Sequence, residues 1–263
     1  RPWLLPMSRC MTSFSDRTFE RVYRVEQTGN VRAYYDEFSR RYETGRDRGY
    51  HFLIDELEAA VAAPHIAGRR VLEAGCGSGL VLERLARSAS LACGFDLSPG
   101  MVRQARERGL QVALGDITAI PFANGAFDVV CSFKVLAHVK QIGRALSELG
   151  RVTAPGGVLL LEFYNPRSLR YLAKRLAGPG RISDGRTEAD IFTRWDSPPT
   201  VRKLLPPELV LEGFRGVRVF TPAAFVHRLP GLAGAIAALE RLALDSPLRV
   251  FGGFLIAVAR KRN

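Results

Sequence analysis

The sequence predicts an α/β fold built on a parallel sheet, and three observations carry that prediction. Short apolar runs alternate with stretches of helical periodicity from Arg70 to Phe163, the pattern of strands joined by right-handed crossover helices. The runs are apolar at consecutive positions, as in strands covered on both faces. The first run ends in a glycine cluster that leads straight into a helix, which lets main chain approach a ligand at the carboxyl edge of such a sheet.

Taken in order, VRAYYDEFSRRY from Val31 to Tyr42 places Tyr34, Tyr35, Phe38 and Tyr42 in an aromatic stripe at helical spacing. A second helix is predicted from Tyr50 to Ala63, with Phe52, Leu53, Leu57 and Val61 on one face and Pro64 as its stop. Val71 to Ala74 is the first strand, and Leu80 to Arg87 the helix after the glycines. Leu91 to Asp96 is a strand and Pro99 to Arg108 a helix; Val112 to Leu114 and Phe127 to Phe133 are strands; Ile142 to Val152 is helical. A turn at Ala154 to Gly157 precedes a fifth strand, Val158 to Phe163. Residues 165–207, rich in Pro, Gly and Arg, read as a lid or substrate-side insertion with short helices near Leu169 to Leu176 and Thr200 to Leu205. Gly216 to Phe220 is predicted as a strand, Leu232 to Leu244 as an alanine-rich helix within an insertion over 222–247, and Phe254 to Ala259 as the last strand.

The 263 residues are enough for one domain with a full core that needs neither disulfides nor metal. Residues 1–25 are expected to be poorly ordered and 26–263 to form one domain; Trp3-Leu4-Leu5 is too short for a signal segment or a membrane span. The formal net charge is +12, nearly all from arginine. No run of like charges marks a binding tail, and Asp184, Glu188, Asp190 and Asp196 interrupt the basic stretch from Arg167 to Lys203, so these charges read as solvated faces. Cys10, Cys76, Cys93 and Cys131 and the scattered histidines have neither metal-ligand nor disulfide spacing. Cys76, Cys93 and Cys131, in or beside apolar runs, read as buried thiols of a reducing, cytoplasmic protein, and no metal site is expected.

The chemistry concentrates in Val71-Leu72-Glu73-Ala74-Gly75-Cys76-Gly77-Ser78-Gly79-Leu80. A dinucleotide site wants G-x-G-x-x-G, and Leu80 stands where the third glycine belongs. Glu73, beside the turn, suits a cationic ligand rather than a pyrophosphate. Asp96 ends the second strand, where a carboxylate can accept from two ribose hydroxyls. Asp116 follows the third strand and can accept from an exocyclic amine, with Leu97 and Ile117 as apolar walls for a ring.

In this order and spacing, over Tyr34 to Phe163, VLEAGCGSG, GFDLSPGMV, GDITAIPFANGAFDVV, SFKVLAHV and APGGVLLLEF resemble the successive motifs of class I S-adenosylmethionine (SAM)-dependent methyltransferases of the small-molecule type. The branch resembled includes ubiquinone and menaquinone methyltransferases. The resemblance implies a Rossmann-like seven-stranded sheet in the order 3-2-1-4-5-7-6, with the last strand antiparallel and helices on both faces. It implies SAM as cofactor. Glu73, Gly75, Cys76, Gly77 and Gly79 would hold its aminoacyl end, and Asp96 its ribose. Leu97, Asp116 and Ile117 would hold the adenine, with Phe133 near the methionine portion. Tyr35 and Tyr42, in helices over 31–63, would form a lid.

His138, Glu162 and Tyr164 are the candidates for a proton-accepting role, since they follow the fourth strand or end the fifth. The expected acceptor is a small, hydrophobic metabolite, with the chain a monomer or homodimer and nucleic acid not a partner. Methylation of nucleic acid or protein, and non-catalytic SAM binding, are the rival readings. The apolar helix from Leu232 packs on the body or a second subunit, or else touches a membrane surface.

Overall fold

The computed structural model describes residue 46 and residues 48–178, 181–183, 186–187, 192–228 and 232–263. The stripe of Tyr34, Tyr35, Phe38 and Tyr42 lies outside the described residues. The chain runs α1 (Gly49–Ile66), β1 (Arg70–Ala74), α2 (Leu80–Ala86), β2 (Leu91–Asp96), α3 (Pro99–Glu107), β3 (Gln111–Leu114), β4 (Phe127–Ser132), α4 (Ile142–Val152) and β5 (Thr153–Tyr164). Then come α5 (Leu169–Ala177), a small hairpin of Arg181–Ser183 with Arg186–Thr187, α6 (Pro198–Leu204), β6 (Leu209–Val217), α7 (Leu232–Ala243) and β7 (Phe254–Lys261).

The sheet order is β3-β2-β1-β4-β5-β7-β6. The first five strands pair in parallel, and β7 runs antiparallel to both β5 and β6. Successive strand residues serve opposite cores: Leu72, Val130 and Leu159 pack in one cluster with Leu146 and Leu149 of α4, while Val71, Val129 and Leu160 pack in another with Leu53 and Leu57 of α1. That two-sided burial is why the strand sequences do not alternate with polar residues. Each fully buried leucine contributes about 1.5–3 kcal/mol relative to exposure. No helix among the described residues is long and apolar enough to cross a membrane.

Several boundaries differ from the sequence expectation. Pro64 lies inside α1 rather than ending it, and the helix continues to Ile66, whose side chain is buried in the core. A proline near a helix end forfeits only one hydrogen bond, which the burial of Ile66 offsets. Phe52 faces outward, with the Arg84 guanidinium 5.2 Å from its ring, whereas Asp55 and Glu58 occupy the buried face. The Pro155 to Gly157 segment is a bulge within β5: Phe127 pairs with Thr153, but Val129 pairs with Val158. β6 begins at Leu209 and ends at Val217, so residues 218–220 are not strand. Glu212, Gly213 and Arg215 conceal it in the sequence, while Arg218 breaks it with φ +63°.

The buried face of α7 carries Ile236, Glu240 and Ala243, while Leu239 and Leu242 are exposed. Glu240 accepts from the Val219 and Phe220 amides at 2.7 and 3.0 Å and from Thr221 Oγ1 at 2.8 Å. A capped carboxylate, rather than apolar packing alone, therefore ties α7 to the segment after β6.

Candidate active site

The carboxyl ends of β1 to β4 open onto a cavity of about 250 Å³, near the small end of ligand sites. Gly75, Gly77 and Gly79 take φ of +77°, +54° and +85°, a region that disfavours side chains. A Cβ on Gly75 would fall 2.3 Å from Val135 Cγ2, so the turn after β1 packs directly on the segment after β4. Three main-chain donors of this turn are spent internally. The Gly75 and Cys76 amides bond to the Phe95 carbonyl at 2.8 and 3.0 Å, and Gly77 N–H donates to Asp96 Oδ2 at 2.8 Å.

Asp96 also takes the Ser98 amide on Oδ1 at 2.9 Å. Each oxygen thus keeps acceptor capacity for a ligand while the side chain is fixed. Burial pushes its carboxyl above the usual range, against the pull of these amides. Asp116 lines the cavity with Leu97, Ile117 and Phe133. Its Oδ1 holds Thr118 by the amide at 2.6 Å and the hydroxyl at 2.7 Å.

Glu73 is 3% exposed and lines the cavity, and its Oε2 has no hydrogen-bond partner. Burial pushes its carboxyl well above the ordinary range; Lys134 opposes that shift, and Glu58, Asp55 and Asp96 reinforce it. The cavity therefore has an acidic corner that holds a buried carboxyl oxygen without a donor. The Cys76 thiol beside it is likewise raised by burial and by Asp96 and Glu73. Cys76, Cys93 and Cys131 are buried thiols.

Sequence reasoning missed Lys134. It adopts φ +60°, and its Nζ reaches Asp55 Oδ1 at 2.8 Å and Glu58 Oε2 at 2.7 Å. Its cavity-lining side chain thus joins α1 to the end of β4. A lone lysine inside the apolar SFKVLAHV run was the signal available. Phe192, from the segment after the hairpin, also reaches the cavity.

The three proton-accepting candidates separate. His138 lines the cavity, with Nδ1 3.0 Å from the Phe192 carbonyl. A carbonyl only accepts, so Nδ1 carries the hydrogen and Nε2 is the basic nitrogen. Burial holds the imidazole below its ordinary pKa, hence neutral, although the Phe192 carbonyl favours the charged form. Tyr164 lies behind it, with its hydroxyl 3.5 Å from Nε2 and the rings edge to face at 5.5 Å. Glu162 is 1% exposed and accepts the Lys134 amide at 3.0 Å, behind the cavity wall rather than on it. Burial and the neighbouring Glu58 keep its carboxyl well above the usual range. Tyr35 and Tyr42, the predicted lid residues, lie outside the described residues.

The family profile described as a methyltransferase domain matches residues 72–161, the span from β1 into β5. An uncharacterized methyltransferase of Mycobacterium tuberculosis is 30% identical over 168 residues, covering 60% of this chain and 81% of its own length. A demethylmenaquinone methyltransferase of Mycobacterium marinum is 31% identical over 179 residues, covering 62% and 75%. Among solved structures, a SAM-dependent methyltransferase of Thermotoga maritima superposes with a TM-score of 0.64 at 18% identity, over 89% of this chain and all of that one. Sheet order, matched profile and the extent of the sequence matches agree: the chain belongs to the SAM-dependent methyltransferases.

Proposed function

We propose that the protein transfers the methyl group of SAM to a small, hydrophobic acceptor that enters beside His138 and Phe192. The observation that carries the cofactor half of this reading is the orphaned Oε2 of Glu73, buried in the cavity where an α-ammonium would supply the missing charge. The donor set fits the rest of the molecule. Asp96 keeps acceptor capacity for ribose hydroxyls, and Asp116 stands with Leu97 and Ile117 at an apolar slot suited to adenine. Gly75, Cys76, Gly77 and Gly79 form the wall at the aminoacyl end, and Phe133 flanks the methionine portion. Tyr35 and Tyr42 retain their proposed role as a lid.

When bound, SAM supplies an electrophilic methyl on a sulfonium sulfur. The protein's work is alignment and exclusion of water, for which a rigid, largely apolar cavity is suited. Proton removal falls to His138. Its Nε2 is the unprotonated nitrogen, and the Tyr164 hydroxyl 3.5 Å away orients the ring. Tyr164 is then a positioning residue, and Glu162 supports Lys134. A demethylmenaquinone methyltransferase among the relatives supports an apolar, ring-bearing acceptor.

Calorimetric titration tests the cofactor half: SAM and its demethylated product should bind, and NAD should not. Labelled SAM with a fractionated cell extract tests turnover, and transfer of label to a small organic molecule is the expected result. Label appearing only in protein or nucleic acid would overturn the acceptor class.

A further inference from the structure

Arg170 sits in the first turn of α5, on a stretch whose charges the sequence presents as solvated, yet it is 7% exposed. Local structure turns it inward. The Asn165 amide nitrogen donates to the carbonyls of Val250 and Gly252 at 2.8 and 3.0 Å, and Ser168 caps α5 by accepting the Tyr171 amide. The guanidinium then stacks 4.0 Å from the Tyr164 ring, 4.8 Å from Phe254 and 5.1 Å from Trp195. Its Nε and Nη1 are buried with no hydrogen-bond partner.

A second buried guanidinium, Arg218, lies 5.8 Å from the same Phe254 ring and 4.9 Å from Tyr50. A Cβ on Gly253 would come within 3.2–3.3 Å of the stems of both arginines. Arg218 is spent partly on the carbonyls of Thr221 and Pro222, at 2.8 Å each. Among the described residues, no carboxylate forms an ion pair with either arginine. Glu240, a carboxylate that acts on Arg218 through space, has its oxygens occupied by Val219, Phe220 and Thr221.

Two like charges buried side by side, one with idle donors, form a site lacking its anion. A guanidinium fork matches the two oxygens of a carboxylate or phosphate. The pair lies at the carboxyl edge of the sheet behind the wall of the cavity, and Tyr164 connects it to His138. We infer that Arg170 and Arg218 bind an oxyanion on the methyl acceptor, so the acceptor class is a small molecule bearing a carboxylate or a phosphate monoester. This inference rests on the methyltransferase reading above and narrows its acceptor.

The test uses the full chain in a Trp3→Phe background, where Trp195 is the remaining indole. The demethylated cofactor is bound first and its affinity measured; failure at that step removes the underlying reading, not this one. Trp195 fluorescence is then followed on titration with benzoate, phenyl phosphate, neutral benzamide and cationic benzylamine. The expected result is saturable binding of at least one anion, about tenfold or more tighter than benzamide or benzylamine. Benzoate and phenyl phosphate separate the two anion classes. Arg170→Gln should weaken anion binding tenfold or more, Arg170→Lys should retain part of it, and both should keep the parent's cofactor affinity. Equal binding of benzamide and the anions, absence of anion binding in the parent, or anion binding unchanged in a cofactor-competent Arg170→Gln protein would each overturn the inference.

Discussion

At the carboxyl ends of β1, β2 and β3 the cavity is lined by acids, Glu73, Asp96 and Asp116. At the corresponding edge of β5, β6 and β7, beyond Glu162 of β5, two arginines are set among Tyr164, Trp195 and Phe254. Glu73 and Glu58 each keep a carboxyl oxygen without a donor, as does Glu162 near the end of β5, while Arg170 keeps two guanidinium nitrogens without an acceptor. Charge is thus uneven along the sheet edge, with Lys134 and His138 lining the cavity in between. A cationic cofactor and an anionic acceptor approaching from opposite ends would each complete a local deficit and bring their reacting groups together in the middle.

The largest effect that can break the comparison comes from the acidic half. Gly75→Val places a side chain at φ +77° against Val135, a strain and overpacking cost of about 2–5 kcal/mol. Denaturant unfolding should show that loss and titration should show no SAM binding, while a parent-like result would remove the turn from the site. Next is the boundary. His138→Ala should lower single-turnover methyl transfer by roughly a hundredfold or more, the scale of general-base catalysis, with SAM affinity unchanged. A proportional loss of SAM affinity would make His138 a packing residue instead.

Asp96→Ala should weaken SAM binding by about 1.5–3 kcal/mol, since it removes a charge-assisted acceptor and releases the Gly77 and Ser98 amides. Calorimetry reads that directly, and an unaltered affinity would relocate the ribose. The smallest effect is expected outside both halves. Leu242→Gln, at a side chain 75% exposed on α7, should change unfolding free energy by no more than about 0.5 kcal/mol. A larger loss, or a change in oligomeric state, would show that α7 covers something the two halves do not account for.

The two halves also differ in how far the sequence reveals them. The acidic half comes from contiguous motifs at strand ends, so position along the chain and position in space coincide: Glu73, Asp96 and Asp116 reach the cavity as their places after β1, β2 and β3 predict. Sheet order and the antiparallel last strand follow from the same run of elements. The basic half is assembled from residues that the sequence separates by nearly fifty positions, and each arginine is buried for a reason outside its own segment. Arg170 turns inward because Asn165 is anchored to Val250 and Gly252, and Arg218 because the chain breaks from β6 with a positive φ. Composition could not distinguish those two guanidiniums from the many that are solvated. Asp55 and Lys134 were hidden likewise, since a charged residue on an apolar helix face or strand end finds its partner only across the fold.

The central claim is that Glu73 receives a cation, and proton linkage tests it most directly. Burial raises its carboxyl in the folded protein, so the group contributes stability below the unfolded carboxylate pKa and loses that contribution as pH rises through the folded one. Pairing with an α-ammonium favours the ionised form, so SAM binding should release a proton at pH values below the folded pKa, and affinity should rise with pH up to that pKa. SAM titrations in buffers of different ionisation enthalpy measure this. The account predicts proton release and a pH-dependent affinity in the parent, both lost in Glu73→Gln together with about tenfold in affinity. Equal affinity and no proton exchange in the two proteins would contradict it.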